Sequence, residues 1–248
     1  IKALVRHDPS KRICDARTCL VMLDRMDGRQ RQEKDAACSG LYAGRLTIGV
    51  AGVAHGIGAT FTALCLAGFF ASLGHKTAFA DFCGNGDLGR LEEVLYKSDR
   101  LAHTDEESFA ADGITYFRDG RTAVGRSARG FGRVLCDFGC LRDEKAIGEF
   151  NRSDVRLVMC PAADWKFALI GDFMARMSPH DPNREWIYVF PEFGKADRNL
   201  VRKTLQTNHV LFFPRVSNPY SQNRNEQKNN RAFFEEAMQM SGIERAFR

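Results

Sequence analysis

The chain has 248 residues, of which 44% are hydrophobic and 27% are charged, so its composition is typical of a globular protein and argues against a disordered chain, a collagen or a coiled coil. Its 36 lysines and arginines exceed its 31 acidic residues by five, a balance too small to establish nucleic-acid binding by itself. No apolar run is long enough to span a bilayer, so the sequence predicts no transmembrane segment.

The first 44 residues differ from the rest of the chain in composition. They are rich in arginine and aspartate, with nine basic and six acidic residues, and contain one short apolar stretch. We interpret residues 1–44 as an N-terminal extension that is partly mobile and holds one helix around Thr18–Met26. Residues 45–248 are predicted to form one α/β domain.

The eight cysteines indicate a reducing compartment. None of them forms a CxxC pair, and Cys65, Cys136 and Cys160 lie inside apolar runs. Free cysteines in such runs behave as small hydrophobic residues, so buried thiols are the expected state. The sequence opens without a charged segment followed by an apolar one. These features predict a cytoplasmic protein.

From Arg45 onward, short apolar runs alternate with patterns of helical period. The runs that predict strands are Leu46–Ala51, Thr77–Asp81, Ile114–Phe117, Arg133–Asp137, Val155–Cys160, Trp186–Phe190 and Val210–Phe213. The patterns that predict helices are Thr60–Leu73, Leu88–Tyr96, Asp143–Phe150, Ala163–Met177, Asp197–Gln206 and Asn229–Met240. This alternation predicts a single three-layer α/β domain, with a mostly parallel, twisted sheet of about 7–8 strands and helices on both faces.

A glycine-rich loop follows the first predicted strand. The strand leads into Gly52, Gly56 and Gly58, and Thr60 then opens a long helix. Such a loop presents successive backbone N–H groups and a helix N-terminus to an anion. Glycine suits it because the loop needs positive φ angles and close approach of the ligand to the backbone. The segment therefore predicts a phosphate-binding loop.

This loop resembles those of two families, and the downstream spacing separates them. Gly52 to Gly58 is similar to the TGxxxGIG loop of short-chain dehydrogenases and to the KGGxGKT loop of MinD/ParA-like P-loop proteins. In the second family an aspartate ends the next strand about 27 positions after the first lysine of the motif; here Asp81 lies 27 residues after Ala54. No tyrosine has a lysine four residues later, as the dehydrogenases require. An NAD(P)-dependent oxidoreductase remains the less favoured alternative.

The resemblance to the MinD/ParA family implies a set of ligand-binding residues. It assigns a nucleotide, ATP or ADP with Mg²⁺, to a site formed by Gly52, His55, Gly56, Ile57, Gly58, Ala59, Thr60 and Asp81. The segment from Arg133 to Gly139 is similar to the family's Walker B strand, which is hydrophobic and ends in an aspartate; here that aspartate is Asp137. By this resemblance, Thr60 and Asp137 are the candidate magnesium residues, while no catalytic residue is assigned.

Three positions depart from the family pattern. Ala54 and Ala59 stand where the family has its two lysines, and Cys83 replaces the second aspartate of its Asp-x-Asp motif. Each missing charge-assisted contact costs roughly 1.5–3 kcal/mol of binding free energy. Phosphoryl transfer also depends on positive charge around the phosphates. We therefore expect weak nucleotide binding, with slow or absent hydrolysis.

The altered loop resembles that of the atypical TadZ/CpaE subgroup. Gly56-Ile-Gly-Ala-Thr60 is similar to the subgroup's Gly-Val-Gly-Ala-Ser/Thr. Members of that subgroup act as localisation factors for Flp/Tad pilus assembly, so the resemblance implies a localisation or assembly factor. The alternative is a pseudo-ATPase scaffold that no longer binds nucleotide.

The remaining expectations concern partners and packing. The family resemblance implies a possible homodimer and a protein partner of unknown identity. Residues 195–231 contain eight basic and two acidic residues, which predicts a solvated face, with a weak anion or nucleic-acid surface as the alternative; nucleic acid is not expected as a partner. Trp165 is expected in the core, or else exposed near the nucleotide edge. Phe233 and Phe234 predict that the last helix docks onto the sheet.

Overall fold

The computed structural model describes residues 45–121, 130–141, 143–181, 185–192, 195–220 and 223–243. The predicted N-terminal extension of residues 1–44, with its helix around Thr18–Met26, lies outside these ranges.

The described residues form nine strands and six α-helices in alternation. The strands are β1 (Leu46–Gly52), β2 (Thr77–Asp81), β3 (Leu101–Thr104), β4 (Ser108–Ala111), β5 (Ile114–Phe117), β6 (Arg133–Cys140), β7 (Val155–Met159), β8 (Ile187–Pro191) and β9 (Val210–Phe213). The helices are α1 (Ala59–Ser72), α2 (Asp87–Lys97), α3 (Glu144–Asn151), α4 (Ala168–Met177), α5 (Lys195–Leu205) and α6 (Arg224–Met240).

All nine strands belong to one sheet in the order β3-β4-β5-β2-β6-β1-β7-β8-β9. Strand β4 pairs antiparallel with β3 and β5, while every other pairing is parallel. The central strands β1, β2, β6 and β7 are almost wholly buried, because helices cover a parallel sheet on both faces. The prediction of a mostly parallel, three-layer α/β domain is confirmed.

The direction of the crossovers places the helices on the two faces of the sheet. The chain moves from β1 to β2 towards one edge, and from β6 to β7, β8 and β9 towards the other. Because such crossovers are right-handed, α1 lies on one face and α3, α4 and α5 lie on the opposite face. Helix α6 packs against α1 and β9. The crossovers that follow β1 and β6 lead towards opposite edges of the sheet, so a topological switch point lies between these two strands. The carboxyl ends of strands at such a point form a crevice for ligands.

The sequence analysis missed the antiparallel extension of the sheet. Strands β3 and β4 were not predicted, and they raise the count from the expected 7–8 strands to nine. Each is only four residues long, and β3 is mostly exposed, so neither run gives a clear strand signal by itself. The remaining strands and helices lie within a few residues of their predicted bounds.

Two further expectations about packing can be compared with the structure. Trp165 lies in a short 3₁₀ turn at Asp164–Lys166 and is 80% exposed, so the expectation of core packing is wrong. The turn leaves α4 to begin at Ala168. Docking of the last helix is confirmed, since Phe233 and Phe234 are buried against the sheet and α1. Among the described residues, no helix has the length and apolar character needed to cross a bilayer.

Candidate functional site

The loop between β1 and α1 has the backbone conformation expected of an anion cradle. Gly56 and Gly58 have φ angles of +73° and +99°, and α1 begins directly afterwards at Ala59. A Cβ atom at either glycine would meet no heavy atom within 4 Å, so the φ angle, and not crowding, requires glycine there. The same open space leaves the loop accessible to a ligand.

The beginning of this loop is held tightly against the sheet. The Val53 N–H donates to the Met159 carbonyl oxygen at 3.1 Å. A Cβ at Gly52 would lie 3.0 Å from the Ala54 carbonyl oxygen, so this glycine permits a close turn of the backbone. His55 and Gly56 are exposed beyond that turn. The loop therefore has a rigid base and an exposed tip.

Two buried aspartates lie at the carboxyl ends of adjacent strands beside the loop. Asp81 of β2 stands directly opposite Asp137 of β6 in the parallel register, and the two residues are only 7% and 2% exposed. The Gly139 N–H donates to Asp137 Oδ1 at 3.0 Å, and the Thr60 hydroxyl lies close enough to lower the pKa of this carboxyl. The first turn of α1 therefore lies beside Asp137, three residues before β6 ends at Cys140.

The electrostatics of Asp137 favour a cation nearby. Burial raises the pKa of its carboxyl to about 6, and the neighbouring Asp81 adds to the shift, while the hydrogen bonds from Thr60 and Gly139 oppose it. The ionised form therefore lacks solvation that a bound cation would replace.

Asp81 and Cys83 complete a group of possible metal ligands. Asp81 Oδ1 accepts the N–H groups of Cys83 at 2.8 Å and Gly84 at 3.0 Å. Single donor atoms of Asp81, Cys83 and Asp137 all lie within 4.8 Å of one another. Burial, reinforced by Asp137, raises the pKa of the Cys83 thiol to about 12, so this thiol stays protonated at neutral pH.

The donor set can be tested against Mg²⁺, the ion implied by the resemblance. Mg²⁺ prefers hydroxyl, carboxylate and water oxygens. Thr60, Asp81 and Asp137 supply such oxygens in one place, and they fit this ion. A protonated thiol does not fit it, so Cys83 would border the ion without binding it.

Gly139 is a site residue that the sequence analysis did not identify. Its φ angle is +52°, and a Cβ there would lie 2.8 Å from Cys83 Cβ and 3.0 Å from Cys83 Sγ. The register of β6 against β1 also shifts between Val50 and Ala51, just beside Asp137. Gly139 therefore allows β2 and β6 to approach closely at the aspartates. A glycine two positions after a strand-ending aspartate was the available signal.

A cavity of about 300 Å³ lies beside the glycine loop on the β7 side. It is bounded by the loop and α1 on one side and by the carboxyl ends of β7, β8 and β9 on the other. Its lining residues are Ile57, Gly58, Phe61, Thr62, Met159, Pro191, Glu192, Phe213, Pro214, Arg215 and Val216. Apart from Ile57 and Gly58, none of these was predicted, because they converge only when the strand order is known.

A larger cleft of about 620 Å³ opens on the other side of Asp81. Asp81, Phe82 and Gly84 form one wall, and charged side chains from the end of β5 and from α3 form the rest. Four cationic and five acidic side chains line it in all, so the cleft has no strong preference for either sign of charge.

The predicted site residues are therefore brought to one edge of the sheet. Thr60, Asp81 and Asp137 lie together, and the loop from Gly52 to Ala59 lies next to them. His55 is the outermost of them, on the exposed tip. Their roles in binding nucleotide and metal remain predictions.

No protein-family model matches the sequence, and no curated protein matches it. Solved structures do resemble the fold. A plasmid partition protein from Borrelia burgdorferi B31 bound to AMPPNP has a TM-score of 0.56 at 12% identity, covering 78% of this chain and 99% of that one. Cobyrinic acid a,c-diamide synthase from Mycobacterium smegmatis, with bound ATP analog and magnesium, has a TM-score of 0.51 at 13% identity, covering 77% and 93%. The chain therefore shares its α/β fold with these two proteins.

Proposed function

We propose that this chain is a ParA/MinD-like nucleotide-binding protein that holds ATP or ADP with Mg²⁺ weakly and hydrolyses ATP slowly or not at all. The observation that carries the proposal is the open glycine loop beside Asp81 and Asp137, two buried carboxylates that stand opposite each other on neighbouring strands. The loop's N–H groups and the N-terminus of α1 attract phosphate, and the aspartates attract its metal ion.

The 300 Å³ cavity gives the nucleotide a place for its base. It adjoins Gly58 at the phosphate end, and Phe61, Phe213 and Pro214 offer it apolar surface. Glu192 and Arg215 add one carboxylate and one guanidinium for polar contacts. Solved structures of the same fold carry AMPPNP or an ATP analog, which supports a nucleotide as the ligand.

Weak binding follows from the missing lysines. Ala54 and Ala59 offer no charge to the phosphates, and the loop from Val53 to Thr60 contains no lysine or arginine. Binding then depends on backbone N–H groups and on the metal. Hydrolysis would suffer more, because the transition state needs the additional positive charge.

Thermal unfolding with and without nucleotide tests the proposal. Mg-ATP at 100 times its dissociation constant should stabilise the fold by about 2.7 kcal/mol. Gly58→Asp, which places a carboxylate in the cradle, should abolish the shift. The proposal is wrong if millimolar Mg-ATP and Mg-ADP leave the unfolding temperature unchanged, and a shift produced by NAD(P) alone would favour the oxidoreductase alternative.

Restoring a lysine gives a gain-of-function test with a matched control. Ala59→Lys should tighten nucleotide binding roughly 10- to 100-fold, because it adds one charge-assisted contact to the phosphates. Ala54→Lys is the control, since the family resemblance assigns that position to contacts with a partner's nucleotide. It should act only if two chains face each other. Equal effects of both lysines would mean that they change only the general charge of the loop.

We further propose that the protein works as a localisation or assembly factor of the Flp/Tad pilus type, as a homodimer with a protein partner. The altered loop supports this role, because a protein that binds nucleotide without efficient turnover suits placement better than catalysis. Sedimentation with and without Mg-ATP tests the dimer. A monomer under both conditions would contradict it.

The surroundings of Asp137 also favour a second candidate, a scaffold whose loop is a relic. Burial raises the pKa of this carboxyl to about 6, and Thr60 and the Gly139 N–H contact it in the absence of any metal. This candidate predicts that Gly58→Asp changes neither partner association nor cellular placement. Loss of either in that variant would exclude it.

A further inference from the structure

We propose that the outer edge of β3 is a docking site for an extended, basic segment of a partner protein, which binds by adding a strand to the sheet. Strands β4, β5, β2 and β6 separate this edge from β1, the strand that precedes the glycine loop. The proposed docking does not depend on nucleotide binding. Three features support the proposal: the position of β3 at the edge of the sheet, the groove beside it, and the charge around it.

Strand β3 is an edge of the sheet: within the described residues it pairs only with β4, in a register that shifts between Leu101 and His103. Ala102, His103 and Thr104 are all exposed. An edge strand presents unpaired N–H and C=O groups, which are the groups that an added strand uses. The opposite edge strand, β9, differs in being largely buried.

A groove of about 530 Å³ runs beside this edge. It is lined by residues at the end of α2 and along β3: Tyr96, Lys97, Asp99, Leu101, Ala102, His103 and Thr104. Tyr96 is 73% exposed and is one of the five large hydrophobic residues that are exposed in the described part of the chain. An aromatic ring beside an open strand edge can contact alternate side chains of a bound segment.

The charge around the edge selects the kind of segment. Residues 92–112 contain seven acidic and two basic residues, although the whole chain carries a net charge of +5. Three of these acidic residues have basic partners, in the ion pairs Glu92–Arg118, Glu93–Lys97 and Asp112–Arg100. Of the other four, Asp105 Oδ2 lies 3.3 Å from His103 Nε2, while the carboxylates of Asp99, Glu106 and Glu107 form no ion pair within the described ranges.

This unbalanced charge favours a basic segment over a second copy of the chain. Two β3 edges pairing with each other would bring these acidic residues together, which is unfavourable. A lysine- or arginine-rich strand would instead neutralise them. Because β3 is only four residues long, few hydrogen bonds can form, so the complex should be weak and short-lived.

A labelled synthetic peptide provides a direct probe. Its sequence alternates lysine with valine, and its binding to the full chain is followed by fluorescence anisotropy in low salt. Two control peptides keep the same charge: one has alternate valines replaced by proline, and one is N-methylated at every second residue. Both lack donors that a strand needs, so each should bind about tenfold more weakly or not at all.

Variants of the protein test the two parts of the proposal. Ala102→Pro disrupts the strand edge and should weaken binding about tenfold. Asp99→Asn with Glu106→Gln removes two charges, and asparagine tolerates the positive φ angle of 55° at position 99. This double variant should weaken binding about threefold to tenfold and reduce its salt dependence. Asp172→Asn with Glu236→Gln, exposed residues of α4 and α6, is the matched control and should change binding less than about twofold.

Several results would overturn the proposal. Equal binding of all three peptides would show adsorption to acidic side chains without strand addition. Absence of binding at millimolar peptide would show that the acidic residues serve only to keep the edge from aggregating. A chain that is dimeric until Ala102→Pro makes it monomeric would identify a second copy as the occupant. The N-methylated peptide keeps the test decisive even if Ala102→Pro fails to fold.

Discussion

The conformation of Gly58 is a single-residue requirement with a measurable cost. Its φ angle of +99° is unfavourable for any side chain, although a Cβ would meet no neighbour within 4 Å. Gly58→Ala should therefore destabilise the fold by about 1 kcal/mol through backbone strain alone. Urea unfolding measures this difference.

Gly148, in the interior of α3, is the matched control for that substitution. A Cβ there also meets nothing within 4 Å, but its backbone is helical. Gly148→Ala should stabilise the fold by roughly 0.5–1 kcal/mol, because alanine loses less entropy in a helix. Changes of the same sign at both positions would contradict the argument from φ.

Asp137 should make the stability of the metal-free protein depend on pH. Its pKa rises from an ordinary 3.8 to about 6 on folding, so the folded protein holds this proton more tightly than the unfolded chain does. This contribution is fully present below pH 4 and is lost as the pH rises to about 6. The loss amounts to about 3 kcal/mol at most.

Asp137→Asn removes that ionisation while keeping an oxygen for the Thr60 and Gly139 hydrogen bonds. Relative to the natural protein, the variant should gain stability between pH 4 and pH 6 and keep the gain at pH 7. Urea unfolding at several pH values in EDTA measures the difference between the two proteins. A difference that does not vary with pH would show that Asp137 is not shifted.

At the scale of single residues, the sequence indicated much of the site. The glycine loop and the two aspartates were predicted to form one site. The structure places Thr60, Asp81 and Asp137 near one another beside that loop, while their roles as ligands remain predictions. The contribution of Gly139 could not be predicted, because it depends on the register between β2 and β6. The lining of the 300 Å³ cavity likewise depends on the strand order.

Helix α1 packs in the core at one position and lines the 300 Å³ cavity at another. Phe70 is fully buried and meets the Phe234 ring of α6 edge to face, with centroids 4.7 Å apart. Phe61, in the first turn of the same helix, is 40% exposed and lines the 300 Å³ cavity. The helix thus anchors the fold at its end and borders the candidate site at its start.

Two alanine substitutions separate these roles. Phe70→Ala should cost about 4 kcal/mol of unfolding free energy, because it leaves a cavity in the core. Phe61→Ala should cost less than about 1 kcal/mol and should instead reduce the thermal shift produced by Mg-ATP. A large loss of stability in Phe61→Ala, or an unchanged nucleotide response, would contradict the division.

The accuracy of the element predictions follows the strength of burial. Strand β9 was predicted over its observed range, and helix α1 within one residue, since both are continuous apolar segments. The β3–β4 hairpin escaped detection because exposure on one edge removes the apolar signal. Trp165 was misplaced for a related reason: hydrophobic type alone does not determine burial in a turn.

The overall architecture was the most predictable level. Alternation of strands and helices indicated a covered parallel sheet, and the structure has one. The two edges of the sheet were not foreseen as chemically different. The acidic residues collect around β3, while the basic residues from 195 to 231 accompany the elements around β9. This separation follows from the strand order and cannot be read from the net charge.

One arginine connects the outer hairpin to the interior of the sheet. Arg118 follows β5, lines the 620 Å³ cleft with Asp81, and donates to both carboxylate oxygens of Glu92 at 2.7 Å and to the Asp105 carbonyl oxygen at 2.8 Å. It therefore joins α2 and the β3–β4 turn to the strand neighbouring β2. Arg118→Gln should speed hydrogen exchange in α2 and in that turn together, with β8 and β9 unchanged as the internal control.

The consequence is mechanical. Because Arg118 bonds to α2 and to the β3–β4 turn and directly follows β5, a displacement of that turn would be transmitted to the end of β5, the strand that pairs with β2.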